Sequence, residues 1–163
     1  PFYRHPLPDM KLLVRRLPTI ILALFTSHFA IADDTLEIND AWIAEAPPVS
    51  KVMAAYMEIE NKTQQDRQAV SMQCREFERA EFHRTVEKDG MARMEHQQVL
   101  NIPAESELAL EPGGYHIMLF NPARHFVAGD KTSCSMKFDD GKTIAIELEI
   151  RKSSVEDHTH HHH

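Results

Sequence analysis

The chain has 163 residues, of which 42% are hydrophobic and 26% are charged, a length and composition that suit one globular domain. Lys and Arg number 18 against 25 Asp and Glu, and the resulting net charge of −7 argues against a nucleic-acid partner. The two cysteines are too few for a disulfide-dense scaffold or for a zinc or iron–sulfur site with four cysteine ligands.

The first 32 residues have the pattern of a secretory signal peptide. A basic segment at 11–16 precedes the apolar run 20–25, and Ala30-Ile31-Ala32 provides a small-residue cleavage site. The apolar run is far shorter than the roughly 20 residues that span a bilayer, so an uncleaved membrane anchor is the less favoured alternative. Removal of four basic residues and one acidic residue with this segment leaves 14 basic and 24 acidic residues, a net charge of −10. We therefore predict an exported protein without stable membrane insertion after cleavage.

The remainder of the chain is predicted to be all-β. Apolar and polar residues alternate in short stretches, which are separated by clusters of Pro, Gly, Asn and Asp. The predicted strands include 52–60, 67–73, 81–86, 91–99, 106–111, 114–120 and 144–150. Short strands at this spacing favour a β-sandwich or small barrel. We expect one folded domain over 33–152 and a flexible His-rich tail over 153–163.

A predicted β-hairpin carries the first group of candidate metal ligands. A turn at residues 88–89 would place His83 opposite Met94, whereas a turn at residues 89–90 would place it opposite His96, with Met94 on the diagonal. Either turn puts the three side chains on one face, because side chains alternate along a strand. A three-residue loop would move Met94 to the opposite face.

A second pair of candidate ligands lies on the predicted strand 114–120. His116 and Met118 share one face of this strand, and Ile117 and Leu119 share the face that can enter the core. Together with the hairpin, this strand can supply two imidazoles and two thioethers. Thioethers select Cu(I), and imidazole binds copper in either oxidation state. The alternative is a set of isolated surface histidines beside methionines that only fill the core.

His83, ten residues, Met94, twenty-one residues and then His116-x-Met118 resemble the signature of the periplasmic CuA-chaperone family, PCuAC. The flanking segments 40–43, 54–61, 110–119 and 129–141 are also similar to segments of that family, so the resemblance covers roughly residues 35–151. It implies a cupredoxin-like β-sandwich with one exposed Cu(I) site formed by the four residues. It also implies delivery of copper toward the CuA centre of cytochrome c oxidase, beside Sco-type thiol proteins.

Further residues are assigned secondary roles. His96 is a candidate extra metal ligand or a residue that supports the ligands, although a solvated strand histidine is the favoured alternative. Met91 is a weaker candidate. An oxidising compartment slightly favours a disulfide between Cys74 and Cys134 over two buried free thiols. The tail is a candidate Cu(II) site, because His-rich tracts bind borderline metals, and a purification tag is the less favoured alternative. Its histidines are His158, His160, His161, His162 and His163.

Other function classes fit the sequence less well. A blue electron-transfer copper site needs a cysteine ligand with a nearby histidine, and no histidine follows Cys134 before the tail. The hydrolase motifs Gly-x-Ser-x-Gly and His-Glu-x-x-His do not occur in the sequence, and we predict a protein that is not an enzyme. The remaining alternatives are a periplasmic copper buffer that protects against excess metal and a metal-free binding β-sandwich.

Overall fold

The computed structural model describes residues 35–152, which form ten β-strands. The predicted signal peptide and the His-rich tail lie outside the described residues. The strands are β1 (Leu36–Ala44), β2 (Val52–Asn61), β3 (Arg67–Cys74), β4 (Phe77–Lys88), β5 (Met91–Gln97), β6 (Leu100–Ile102), β7 (Ser106–Leu110), β8 (Tyr115–Pro122), β9 (Lys131–Phe138) and β10 (Thr143–Arg151). Within this part of the chain, no helix is long and apolar enough to cross a membrane.

The all-β prediction is confirmed, and alternation explains why these segments form strands. In β10, Ile146, Leu148 and Ile150 are buried, whereas Glu147 and Glu149 between them are exposed. Period-two alternation of this kind gives a strand one apolar face, which packs into a core. Each fully buried Leu or Ile side chain contributes roughly 2 kcal/mol through the hydrophobic effect.

The ten strands form one hydrogen-bonded sheet in the order β5-β4-β8-β7-β2-β1-β10-β9-β3-β6, with an additional pairing of β8 with β2. The pairs β1–β10 and β7–β8 are parallel, and the other pairs are antiparallel. Strands far apart in this order also approach each other, namely β3 with β4 and β6 with β2 and β7. The sheet therefore curves back on itself around a shared core. The most buried of its large side chains are Phe126, Phe138, Ile43, Met57, Ile59, Leu100, Ile102, Ile117, Leu119, Met136, Leu148 and Ile150.

A disulfide joins the paired strands β3 and β9. Cys74 and Cys134 lie directly opposite each other in the ladder, with their Cα atoms 4.0 Å apart. Both side chains are buried, so the bridge closes a loop of 60 residues next to the core.

The hairpin between β4 and β5 has a two-residue turn at Asp89 and Gly90. Both residues have positive φ, 55° and 72°, as the type I′ turn of a tight hairpin requires. The register therefore pairs His83 with His96, the second of the two alternatives left open by the sequence. The predicted strand 91–99 ends earlier, at Gln97. The chain then crosses to pair β6 with β3.

Candidate metal centre

Three adjacent strands place three histidines in one row. β4 lies between β5 and β8, and His83 of β4 is directly opposite both His96 and His116. The ring centroids of His83 and His96 are 5.5 Å apart, and those of His83 and His116 are 6.0 Å apart. The strand pairing thus brings together imidazoles that are separated by as many as 33 residues in the chain.

His116 is the most buried of these histidines, with 4% of its surface exposed. Its Nδ1–H donates a hydrogen bond to the backbone carbonyl of Gly114, at 3.1 Å. The same carbonyl accepts a hydrogen bond from the backbone N–H of Thr85 on β4, which fixes the acceptor in place. Because a carbonyl only accepts, this contact leaves the lone pair on His116 Nε2, and no described residue forms a hydrogen bond with that nitrogen.

His83 is held by the carboxylate of Glu81, two residues earlier on the same face of β4. Its Nε2 lies 3.0 Å from Glu81 Oε2, and Arg79 Nε lies 2.9 Å from the other carboxylate oxygen. The hydrogen bond from His83, followed by that from Arg79, lowers the pKa of Glu81 below its ordinary value of 4.5. The ionised carboxylate favours a proton on His83 Nε2. The buried Nδ1, which has no hydrogen-bond partner within the described residues, can then offer its lone pair.

These hydrogen bonds are of the kind that orients metal-binding histidines. A ligating imidazole almost always donates its other N–H to a carboxylate or a backbone carbonyl, which fixes the tautomer and raises its basicity. His83 uses the carboxylate of Glu81, and His116 uses the carbonyl of Gly114. Each ring keeps one unpartnered buried nitrogen among the described residues. Glu81 is not among the residues predicted from the sequence, although its spacing from His83 already places both side chains on one face.

Both candidate thioethers border the same cavity. Met94, His116 and Met118 line a pocket of about 210 Å³, together with Thr85 and Tyr56. Met118 is half-buried, whereas Met94 is 63% exposed. Burial raises the pKa of Tyr56, so its neutral hydroxyl is retained beside the pocket. The pocket therefore has a buried wall on β8 and an open wall on β5.

The described residues outside this group add few metal-binding candidates. Met91 lies three positions before Met94 and so faces the opposite side of β5. Among residues 35–152, no group of three or more His, Cys, Asp and Glu side chains is arranged to hold a metal ion. The other soft donors that border this site are the thioethers of Met94 and Met118. The candidate tail ligands lie outside the described residues.

Comparison with known proteins assigns the fold to a family. Residues 36–150 match the family described as "Putative lipoprotein LpqE-like". The chain belongs to this family, which is the PCuAC family. A relative from Leifsonia xyli subsp. xyli, "Putative lipoprotein Lxx21020", is 31% identical over 122 residues, covering 74% of this chain and 72% of that protein.

Solved PCuAC domains have the same fold. The copper-bound PCuAC domain from PmoF2 is 15% identical, with a TM-score of 0.63 over 72% of this chain and 93% of that domain. The solution structure of CuI-DR1885 from Deinococcus radiodurans is 29% identical, with a TM-score of 0.63 over 77% of this chain and 83% of that protein. The chain therefore has the cupredoxin-like fold that its resemblance to the family implied.

Proposed function

We propose that this chain is a periplasmic copper chaperone that holds one Cu(I) ion with His83, Met94, His116 and Met118. In this proposal the ion is cargo, which the chain passes toward the CuA centre of cytochrome c oxidase. Its relatives support the class of function, since PCuAC domains have been solved in copper-bound form, as has CuI-DR1885.

The observation that carries the proposal is the pair of buried, unpartnered imidazole nitrogens beside two thioethers. A buried polar atom without a partner costs free energy, and a bound metal ion would satisfy both nitrogens. Each imidazole is already oriented through its other nitrogen. The donors are neutral and soft, a set that favours Cu(I) over harder divalent ions.

The proposed site is partly exposed, which suits the release of copper as well as its binding. Met94 is 63% exposed on β5, whereas His116 is buried on β8. An acceptor's ligand can therefore approach copper from the β5 side and take the place of one of the chain's own ligands. This arrangement favours transfer by exchange of ligands over permanent storage.

A Cu(I) titration against a competing chelator tests the proposed site. We expect the chain to bind one tight equivalent and the Met94→Ala/Met118→Ala variant to lose more than about 100-fold in affinity, because even outer-shell changes at metal sites cost 10–100-fold. Met91→Ala is the matched control, since it removes an exposed thioether from the opposite face of the same strand. Equally tight Cu(I) binding by the wild-type chain and the Met94→Ala/Met118→Ala variant would refute the ligand set.

Mixing the copper-loaded chain with a copper-accepting protein distinguishes delivery of copper from buffering of excess copper. Cu(I)-loaded chain is mixed with a copper-free CuA domain, with and without a reduced Sco-type protein, and native mass spectrometry follows the metal. Movement of copper to the CuA domain supports a chaperone. Retention of copper by the chain under all conditions would favour the buffer alternative.

The His-rich tail is proposed as a separate Cu(II) site. Its histidines, His158, His160, His161, His162 and His163, are borderline donors that accept Cu(II) without thioethers. Deletion of residues 157–163 is expected to lower Cu(II) stoichiometry and to leave the Cu(I) equivalent in place. Unchanged Cu(II) stoichiometry would exclude this role.

A further inference from the structure

The third histidine of the row, His96, is not needed by the four-ligand site. It is exposed on β5, and within the described residues its ring forms no hydrogen bond. β5 is the outermost strand on its side of the sheet order, so among residues 35–152 only β4 pairs with it. His96 is therefore open to solvent and to an approaching molecule.

The distance between two imidazole rings indicates whether both can bind the same metal ion. An imidazole nitrogen binds a metal at about 2.0 Å, which puts the ion about 3 Å from the ring centroid, so two imidazoles on one ion have centroids about 5 to 6 Å apart. The His83–His116 pair is separated by 6.0 Å and the His83–His96 pair by 5.5 Å. Both separations lie within this range, and His83 is the ring that the two neighbours have in common.

A thioether accompanies each of the outer histidines. Met118 lies two residues after His116 on β8, and Met94 lies two residues before His96 on β5. The two arms flank His83 on opposite sides, and they differ in exposure. His116 is 4% exposed, whereas Met94 is 63% exposed and His96 is also exposed. The row therefore runs from a buried arm to a solvent-facing arm.

We propose that His96 is a further copper ligand, which forms with His83 and Met94 a solvent-side position from which Cu(I) is handed to the acceptor. The inference rests on the proposed function and deepens it. Copper moves outward when the bonds to His116 Nε2 and to the Met118 thioether break as a bond to the His96 imidazole forms, with His83 and Met94 bound throughout. The acceptor's ligand then replaces His96 in the same way. Copper remains Cu(I) in each exchange, so the steps need no oxidant or reductant.

NMR spectroscopy of the imidazole resonances tests binding directly, because Cu(I) is diamagnetic. We expect the first equivalent of Cu(I), added to the full chain, to shift the ring resonances of His96 together with those of His83 and His116. The ring of His125, which is exposed outside the row, serves as the internal control. A His96 resonance that stays in place through the first equivalent would overturn the inference.

Transfer kinetics test the role of the exposed ligand. The His96→Gln variant is expected to pass Cu(I) to a chromophoric chelator about tenfold more slowly than the wild-type chain, which is about 1.4 kcal/mol in the barrier. The rate is expected to fall more than the equilibrium affinity does. Glu95→Gln, on the opposite face of β5, and His125→Gln, outside the row, are the matched controls and should transfer copper at the wild-type rate.

The outcomes separate this inference from the proposed function. If His83 and His116 respond to Cu(I) but His96→Gln transfers copper as fast as the wild-type chain, the solvent-side position is refuted and the four-ligand site stands. If none of the three rings responds to Cu(I), the proposed function fails, and this inference fails with it. A slowed His96→Gln variant beside unaffected control variants would support both.

Discussion

Near one end of the sheet, β3 and β9 hold Cys74 and Cys134 in a disulfide, and these residues are 8% and 6% exposed. At the other end, β5 presents Met94 to solvent with 63% of its surface exposed. Both ends use sulfur, but a thiolate in an oxidising compartment is prone to disulfide formation, whereas a thioether cannot form a disulfide. The two cysteines thus fix the fold covalently, whereas Met94 offers a sulfur donor that the proposed copper exchange can use.

The two ends also differ in how they are anchored. Beside the disulfide, the loop after β8 inserts Phe126 against Phe77, with ring centroids 5.3 Å apart, and Arg124 bonds to both Glu76 and Asp130. The outer strand β5 has exposed side chains along most of its length and one paired neighbour among the described strands. An end held by a disulfide, a ring contact and ion pairs, together with an accessible end, suits the proposed exchange of copper ligands without loss of the fold.

Loss of the disulfide is the largest change that we predict. Cys74→Ala/Cys134→Ala is expected to lower the free energy of unfolding by about 4 kcal/mol, because the bridge closes a loop of 60 residues and so restricts the unfolded chain. Urea denaturation of the variant and of the oxidised wild-type chain measures the difference. Cu(I) affinity of the folded variant should match that of the wild-type chain. A parallel loss of copper affinity would show that the two ends are not independent.

The second prediction concerns the orientation of His83. Glu81→Gln is expected to lower Cu(I) affinity by about tenfold, because a neutral amide is a weaker acceptor for the imidazole N–H than a carboxylate is. The same chelator competition measures the loss. Glu87→Gln, an exposed carboxylate further along β4, is the matched control. Equal affinities for the two variants would mean that the Glu81–His83 contact does not tune the site.

The fold class and the shared face of the candidate ligands could be predicted from local rules. Alternation identified most strands, and any two-residue turn in the hairpin put His83, Met94 and His96 on one face. The register itself could not be chosen, since residues 88–89 and 89–90 both suit a turn. The structure uses the second pair, in which Gly90 supplies one of the two positive φ values.

The environment of each ligand could not be predicted, because it depends on strands that are distant in the sequence. His116 is buried, although the family resemblance implied an exposed site. The reason is that β8 is an interior strand between β4 and β7, with an additional pairing to β2. The hydrogen bonds from His116 to the Gly114 carbonyl and from His83 to Glu81 depend on side-chain conformations that the alternation of residues does not determine. The exposed candidate ligand is instead Met94, on β5.

The smallest predicted effect is on acid stability at the disulfide end. The hydrogen bond from Arg124 lowers the pKa of Glu76 below its ordinary value of 4.5, and the Val127 N–H followed by Arg124 lowers that of Asp130 below 3.8. A carboxyl group with a lowered pKa in the folded state contributes stability that is complete above its ordinary pKa and is lost as the pH falls through the lowered value.

Arg124→Ala should therefore reduce stability near neutral pH and make the thermal unfolding midpoint fall less steeply below about pH 4.5. The flattening is expected to be partial, because Asp130 keeps its backbone hydrogen bond and Glu81, beside His83, keeps its own lowered pKa. Arg93→Ala, which removes an exposed arginine from β5, should leave the slope as it is in the wild-type chain. Equal slopes for the Arg124→Ala, Arg93→Ala and wild-type chains would contradict the prediction. Acid sensitivity would then not arise from the Arg124 contacts that anchor the disulfide end.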